Sequence, residues 1–139
     1  MLVSVHSKFD LGREEQTRRI VRALSHKSVD VLAHPTGRII GGRRGIAIDF
    51  EAVCRAARDH GVVLEINAQP SRLDLDDVTA RAAVGAGLQL QIATDAHSTA
   101  ELRFMRWGVD QARRGWVDAS NVLNTLKLGA LLKRLHGRG

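Results

Sequence analysis

Residues 62–87, VVLEINAQPSRLDLDDVTARAAVGAG, decide the fold. The first part, Val62–Asn67, is rich in β-branched and aliphatic residues and short enough for a buried strand. After a polar turn, Asp74 and Asp77 open a helical pattern in which Leu75, Val78, Ala82 and Ala86 recur on one face. Gly87 stands where that helix should stop. Strand followed by helix is one βα unit, and the same alternation recurs on both sides of it.

Leu2–Val5 and Val29–Ala33 precede it as strands, and Leu88–Thr94 follows. Each leads into a helical stripe: Thr17, Ile20, Val21 and Leu24; then Phe50, Val53, Cys54 and Ala57; and, after the last strand, Leu102, Met105, Val109 and Ala112. Asp49 marks a helix start, Ser98 with Glu101 reads as a capping box, and Gly61 and Gly115 mark helix ends. A last helical stretch after Asp118 carries Leu128, Leu131, Leu132 and Leu135 on one face, with Gly129 as an expected interruption. Four strand–helix alternations predict an α/β fold with a parallel sheet and right-handed crossovers, either open or an arc of a (β/α) barrel.

The chain has 139 residues, a length for one domain or a piece of one. It is 44% hydrophobic and 26% charged, which excludes a disordered chain; at 4% aromatic, its core must be aliphatic. No apolar run approaches the ~20 residues of a membrane span, and MLVSVHSKFD is too polar for a secretory leader, so a cytoplasmic location is expected. One cysteine excludes a disulfide framework and a multi-cysteine zinc site; Cys54, on an apolar stripe, should be buried and inert. The net charge is +6, and all but four of the 21 basic residues are arginine, which suits bidentate contact with phosphate or a solvated basic surface.

In parallel α/β folds, functional groups gather at the carboxyl ends of the strands. Here those ends read VHS, AHPTGR, EINA and TDAHS. His6, His34, Asp95 and His97 should therefore share one rim, and imidazole with carboxylate is a ligand set for Zn²⁺, Mn²⁺ or Fe²⁺, with Mg²⁺ also open. His26, His60 and His136 lie on or at the ends of helices, where they are expected to be exposed or to cap C-termini. The loop HPTGRIIGGRRG flanks Gly41 and Gly42 with Arg38, Arg43 and Arg44; it lacks the Walker pattern. Arg38 is expected to hold phosphate. Arg43 is either a second phosphate ligand or part of a solvated basic loop. Asn67 and Arg72 border the third strand end, where Asn67 either orients a ligand or satisfies backbone; Glu65 either pairs with a basic group or faces solvent. Trp107 and Trp116 are expected in packing.

Taken in order, SVHS, LAHPTGR, LEINAQPSRLDLDD, ATDAHS and MRWGVDQARRGWVDASNVLNTL resemble the PHP (polymerase and histidinol phosphatase) domain, and most closely the C-terminal PHP domain of bacterial and archaeal family X DNA polymerases. The resemblance covers essentially the whole chain, with Gln69 where the family typically has Asn. It implies part of a distorted (β/α)7 barrel, about its last four βα units, forming a single truncated PHP domain over residues 1–139. It also implies up to three divalent metal ions, Zn²⁺ or Mn²⁺ foremost, and 3′-5′ exonuclease or related phosphoesterase activity on DNA. By motif, His6 and His34 resemble ligands of one metal, Asp95 of a second and His97 of a third. The family's opening HxH, its next histidines and its bridging glutamate have no counterpart here. Activity of the chain alone is therefore expected to be weak or nil, and a non-catalytic metal- or DNA-binding module is the alternative. A histidinol-phosphate-type phosphatase is a further one, disfavoured by the GRIIGGRRG loop and the RRGWVDASNVLNTL tail. Four βα units also predict uncovered sheet edges and an uncovered apolar face, closed by self-association or by a missing N-terminal half-barrel.

Overall fold

The computed structural model describes residues 1–136. Strands and helices alternate: β1 (Leu2–Val3), α1 (Arg13–Leu24), β2 (Val31–Leu32), α2 (Phe50–Asp59), β3 (Val63–Asn67), α3 (Asp77–Gly85) and β4 (Leu90–Ala93). A 3₁₀ turn, Thr99–Phe104, then runs into α4 (Met105–Arg114). Two shorter 3₁₀ turns, Ala119–Asn121 and Leu123–Thr125, lead to α5 (Leu128–His136). The strands form one parallel sheet in the order β1-β2-β3-β4, with Leu64 opposite Leu90 and Asn67 opposite Ala93. The expected α/β class and parallel sheet are present, and the arrangement is compatible with part of a β/α barrel.

Local chemistry sets the helix limits. Asp49 caps α2 by accepting from the Ala52 N–H at 3.0 Å. Gly61 (φ 63°) and Gly87 (φ 83°) take the left-handed conformation that ends α2 and α3. The cap of α3 is Asp76, which accepts from the Thr79 N–H at 2.8 Å, and not Asp74, whose side chain turns inward.

Two helix faces differ from the expected stripes, for one reason. In α3, Val78 is 72% exposed while Ala80 and Ala83 are buried. In the 3₁₀ turn and α4, Leu102, Met105 and Val109 lie outside, and Gly108, Gln111 and Ala112 face inward. Small residues, not large ones, choose the buried face, because they let the backbones approach. A Cβ on Gly108 would stand 2.4 Å from Ile92 Cγ2 and 2.8 Å from Ala68 Cβ; one on Gly115 would meet the Asp77 carbonyl at 2.9 Å. Trp107 and Trp116, expected in packing, are 43% and 78% exposed.

The main core joins Ile20 and Leu24 of α1, Val53 and Ala57 of α2, and Leu32, Leu64, Ile66 and Leu90 of the sheet. Val31 and Val63 point to the opposite face, where Leu123, Leu126, Leu131 and Leu135 cover them. Gly129 lies within α5 without interrupting it, and Leu128 and Leu132 face out rather than joining Leu131 and Leu135. The uncovered face predicted from sequence is thus partly closed by the chain's own C-terminal elements. So is the β4 edge: the Asn124 side-chain amide accepts from the Ile92 N–H at 2.8 Å and donates to the Ile92 carbonyl at 2.9 Å, as a neighbouring strand would. No helix among the described residues is long and apolar enough to cross a membrane.

Candidate functional site

Parallel strands bring the ends of β1–β4 to one rim, and the histidine after β2 sits at its centre. His34 is buried, with φ at 31°, a left-handed conformation that costs a non-glycine residue of order 1–3 kcal/mol. Asp95, at the end of the β4 segment, shares that conformation at φ 52°. His34 Nε2 lies 3.4 Å from His6 Nε2, with ring centroids 5.3 Å apart. His6 is exposed and also contacts Ser4 Oγ at 3.0 Å. Burial, aided by the nearby Arg72 cation, lowers the His34 pKa and favours a neutral ring with a free lone pair. Its Nδ1 is buried without a hydrogen-bond partner.

Two buried carboxylates hold the His34 corner. Glu65, in the middle of β3, is 3% exposed; it neither meets a basic side chain nor faces solvent. It accepts the His34 backbone N–H at 2.6 Å and the Asn67 amide at 3.3 Å. Burial pushes its pKa up to about 7 against these two hydrogen bonds. Asp74 accepts the Thr36 N–H at 3.0 Å, the Thr36 hydroxyl at 2.9 Å and the Gly37 N–H at 2.8 Å. Its pKa too is raised, by burial foremost. Its backbone pairs with Asn67, tying the turn before α3 to the end of β3.

At the β4 end, the His97 ring nitrogen Nδ1 lies 2.7 Å from the Asp95 carbonyl, which fixes the tautomer with Nδ1–H donating and leaves Nε2 as the lone-pair nitrogen. Glu101 accepts from the His97 N–H at 2.8 Å and from Gln69 at 3.3 Å. Ser98 makes no side-chain cap, so the expected capping box is replaced by this bond one residue earlier. Asp95 lies 3.9 Å from Arg72 Nε, and its charge reaches both His34 and Glu65.

The other expected residues divide. Arg38 is spent on structure: it donates to the carbonyls of Arg72 (2.7 Å) and Leu73 (2.6 Å) and pairs with Asp76 at 3.1 Å. Arg43 donates to the Gly37 carbonyl and lies 3.6 Å above the Phe9 ring. Asn67 is buried, and its Oδ1 accepts the Gln69 N–H. The loop nevertheless borders an open depression of about 470 Å³ lined by Arg38, Arg43, Arg44 and Gly41. His26 and His60 are exposed; the side chain of His136 lies outside those described. Cys54 is buried, and burial lifts its thiol to about 11. Among the described residues, no group of three or more His, Cys, Asp or Glu side chains is close enough to hold an ion. His6 and His34 meet as a pair at the ends of β1 and β2; Asp95 and His97 both follow β4, with β3 between, and of these two the Asp95 charge reaches His34.

Sequence reasoning missed the inward role of Asp74 and, for Glu65, which it singled out, missed the part of backbone acceptor. An acid two positions before a helix cap looks like a cap, and the signal that separated them was the isolated charge inside an apolar strand, available only for Glu65.

An α/β unit with imidazoles and carboxylates on its strand-end rim is the kind of scaffold on which phosphoester cleavage is run, and the relatives of this chain carry such names. It is 42% identical over 137 residues to the DNA polymerase/3′-5′ exonuclease PolX of Bacillus subtilis, a match covering 96% of this chain and 24% of that protein. A probable phosphatase of Thermoanaerobacter sp. (strain X514) is 26% identical over 118 residues, 81% of this chain and 46% of that protein. A probable phosphatase of Shewanella baltica (strain OS195) is 41% identical over 51 residues, 37% of this chain and 18% of that protein. No family model matches the chain. The resemblance to a family X DNA polymerase read from the motifs thus extends over nearly the whole chain, which spans about a quarter to a half of the length of the first relatives it matches.

Proposed function

We propose that the chain is part of a PHP-type (β/α)7 barrel and carries metal-dependent phosphoesterase chemistry directed at DNA phosphodiesters. The observation that carries this reading is the His6–His34 pair. Two imidazole nitrogens bound to one tetrahedral Zn²⁺ at 2.0–2.1 Å stand about 3.3 Å apart, and the two Nε2 atoms are 3.4 Å apart here. The lowered pKa of His34 and the fixed tautomer of His97 both leave ring nitrogens able to donate lone pairs. A divalent cation, Zn²⁺ or Mn²⁺ before Mg²⁺ or Fe²⁺, would be held by His6 and His34, with Asp95 and His97 after β4 on the same rim. When bound, it supplies charge that activates water and offsets negative charge developing on phosphate. Arg72 stands beside Asp95, where its guanidinium can meet a phosphate oxygen, and Arg43 lines the neighbouring loop depression.

Two imidazoles are fewer than the three protein ligands usual for catalytic zinc, and this favours a second reading, metal and DNA binding without turnover. Elemental analysis of wild type, His6→Ala and His34→Ala, beside manganese-dependent hydrolysis of bis(p-nitrophenyl) phosphate and of a 3′-labelled strand, separates the two. Metal lost in both variants, with hydrolysis lost in His34→Ala, supports the enzyme. Metal bound without hydrolysis supports the second reading. Metal content near zero in all three proteins ends both. Cleavage of monoesters alone would mark a small-molecule phosphatase.

A further inference from the structure

The seam between α3 and α4 carries both tryptophans of the chain, and neither serves the core. Trp107 lines a cleft with Arg38, Asp77 and Arg114, so it lies beside the loop that follows β2. Trp116 follows α4 with φ at 56° and is largely exposed, and its neighbour Gly115 packs against Asp77 and Ala80 of α3. Each ring has a guanidinium near it: Arg106 at 5.0 Å from Trp107, and Arg81 at 5.9 Å from Trp116. The acids of this face are partly occupied, Asp77 by Arg114 and Asp76 by Arg38. Arg81 and Arg106 form no ion pair among the described residues, and Asp110 is the remaining acid of the cleft.

Exposed indole rings with a guanidinium over one face, itself in no ion pair among the described residues, leave the other face open to a polyanion whose flat rings are accessible. Bases of a duplex are stacked on one another, whereas unpaired bases can stack on indole while their phosphates meet arginine. We propose that this seam binds single-stranded nucleic acid, with bases on Trp107 and Trp116 and phosphates at Arg81 and Arg106. The choice of nucleic acid rests on the phosphodiester reading above; the binding itself requires no cation.

With two tryptophans and no tyrosine, the intrinsic emission excited at the indole band belongs to these two rings alone. Oligothymidylate titrated into the protein in EDTA at low salt should quench that emission saturably, and affinity should fall steeply with added salt. Trp107→Ala and Trp116→Ala should each weaken binding about tenfold, read by fluorescence anisotropy of a labelled strand, while Phe at either position retains most of it. Arg81→Ala and Arg106→Ala should each flatten the salt dependence by about one charge. Far-UV circular dichroism checks that each variant is folded. Absence of quenching, equal binding of duplex, wild-type affinity in both alanine variants, or quenching that follows protein concentration alone (a second copy covering the seam) would overturn the proposal. Hydrolysis of the small diester separates this from the metal site: strand binding without metal or hydrolysis removes the enzyme reading and leaves the seam, and hydrolysis without strand binding does the reverse.

Discussion

Replacing Asp74 tests what holds the His34 corner. Its carboxylate is fully buried and satisfies the N–H groups of Thr36 and Gly37 and the Thr36 hydroxyl. Alanine would strand the Thr36 N–H, whereas the Gly37 N–H keeps its bond to the His34 carbonyl at 3.0 Å, and an unsatisfied buried group costs about 1–3 kcal/mol. Asp74→Ala should therefore lose about 2–3 kcal/mol, a sizeable share of the 5–15 kcal/mol typical of a domain. Asparagine is different. Its oxygen can accept both N–H groups while its amide donates to the Thr36 hydroxyl oxygen. What it loses is the charge, and burial, the largest influence on this carboxyl, already works against the charge. Asp74→Asn should cost about 1 kcal/mol. The pH dependence follows the same sign. A raised folded-state pKa means that Asp74 takes up a proton in the folded chain before it does in the unfolded one. Wild type should thus gain on Asp74→Asn as pH falls from neutral toward the unfolded value of 3.8. Urea denaturation followed by far-UV circular dichroism measures all three proteins, since the exposed tryptophans report poorly on core unfolding. An alanine variant within 1 kcal/mol of wild type, or an asparagine variant as damaged as alanine, would refute the clamp.

Cys54 should resist thiol reagents at pH 8 in the folded chain and react on unfolding, because burial lifts its pKa to about 11. The raised value stabilises the fold below the unfolded thiol's pKa of 9.0; this contribution, about 3 kcal/mol, should fade as pH rises from there toward 11, whereas Cys54→Ala should lack that decline. Gly108→Ala should destabilise by about 1–3 kcal/mol despite alanine's better helix propensity, since its Cβ would stand 2.4 Å from Ile92 Cγ2. A stabilised Gly108→Ala protein in urea would show that α4 does not need this approach to the sheet.

The order of elements was legible because strand and helix differ in period, and because Asp49, Gly61 and Gly87 mark ends through their own chemistry. The meeting of His6 with His34 followed from placement alone: parallel neighbours β1 and β2 must end side by side. The faces of α3 and α4 were not legible. Periodicity weights the largest apolar residues, and there the contact is made by Ala80, Ala83, Gly108 and Ala112, whose value lies in how little space they occupy. The structural ties of Arg38, expected to hold phosphate, were not legible because its three partners, Arg72, Leu73 and Asp76, lie more than thirty residues away in sequence.

The two buried acids explain how the rim can hold strained residues in place. Glu65 and Asp74 both have carboxyls whose burial raises the pKa, so the charged form of each comes at some cost to the fold. Between them they spend their oxygens on the backbone N–H groups of residues 34, 36 and 37, the segment in which His34 takes its left-handed conformation. Hydrophobic residues at 65 and 74 would fill the same space without that cost, but the N–H groups of His34 and Thr36 would then lose the oxygens that accept them, and the backbone that carries His34 would be held less firmly. The Nε2 atom that now faces His6 would move with it. Carboxylates at these two buried positions therefore trade stability for the direction of one imidazole, which is the trade expected where a ring must meet a ligand and not where it merely fills a core.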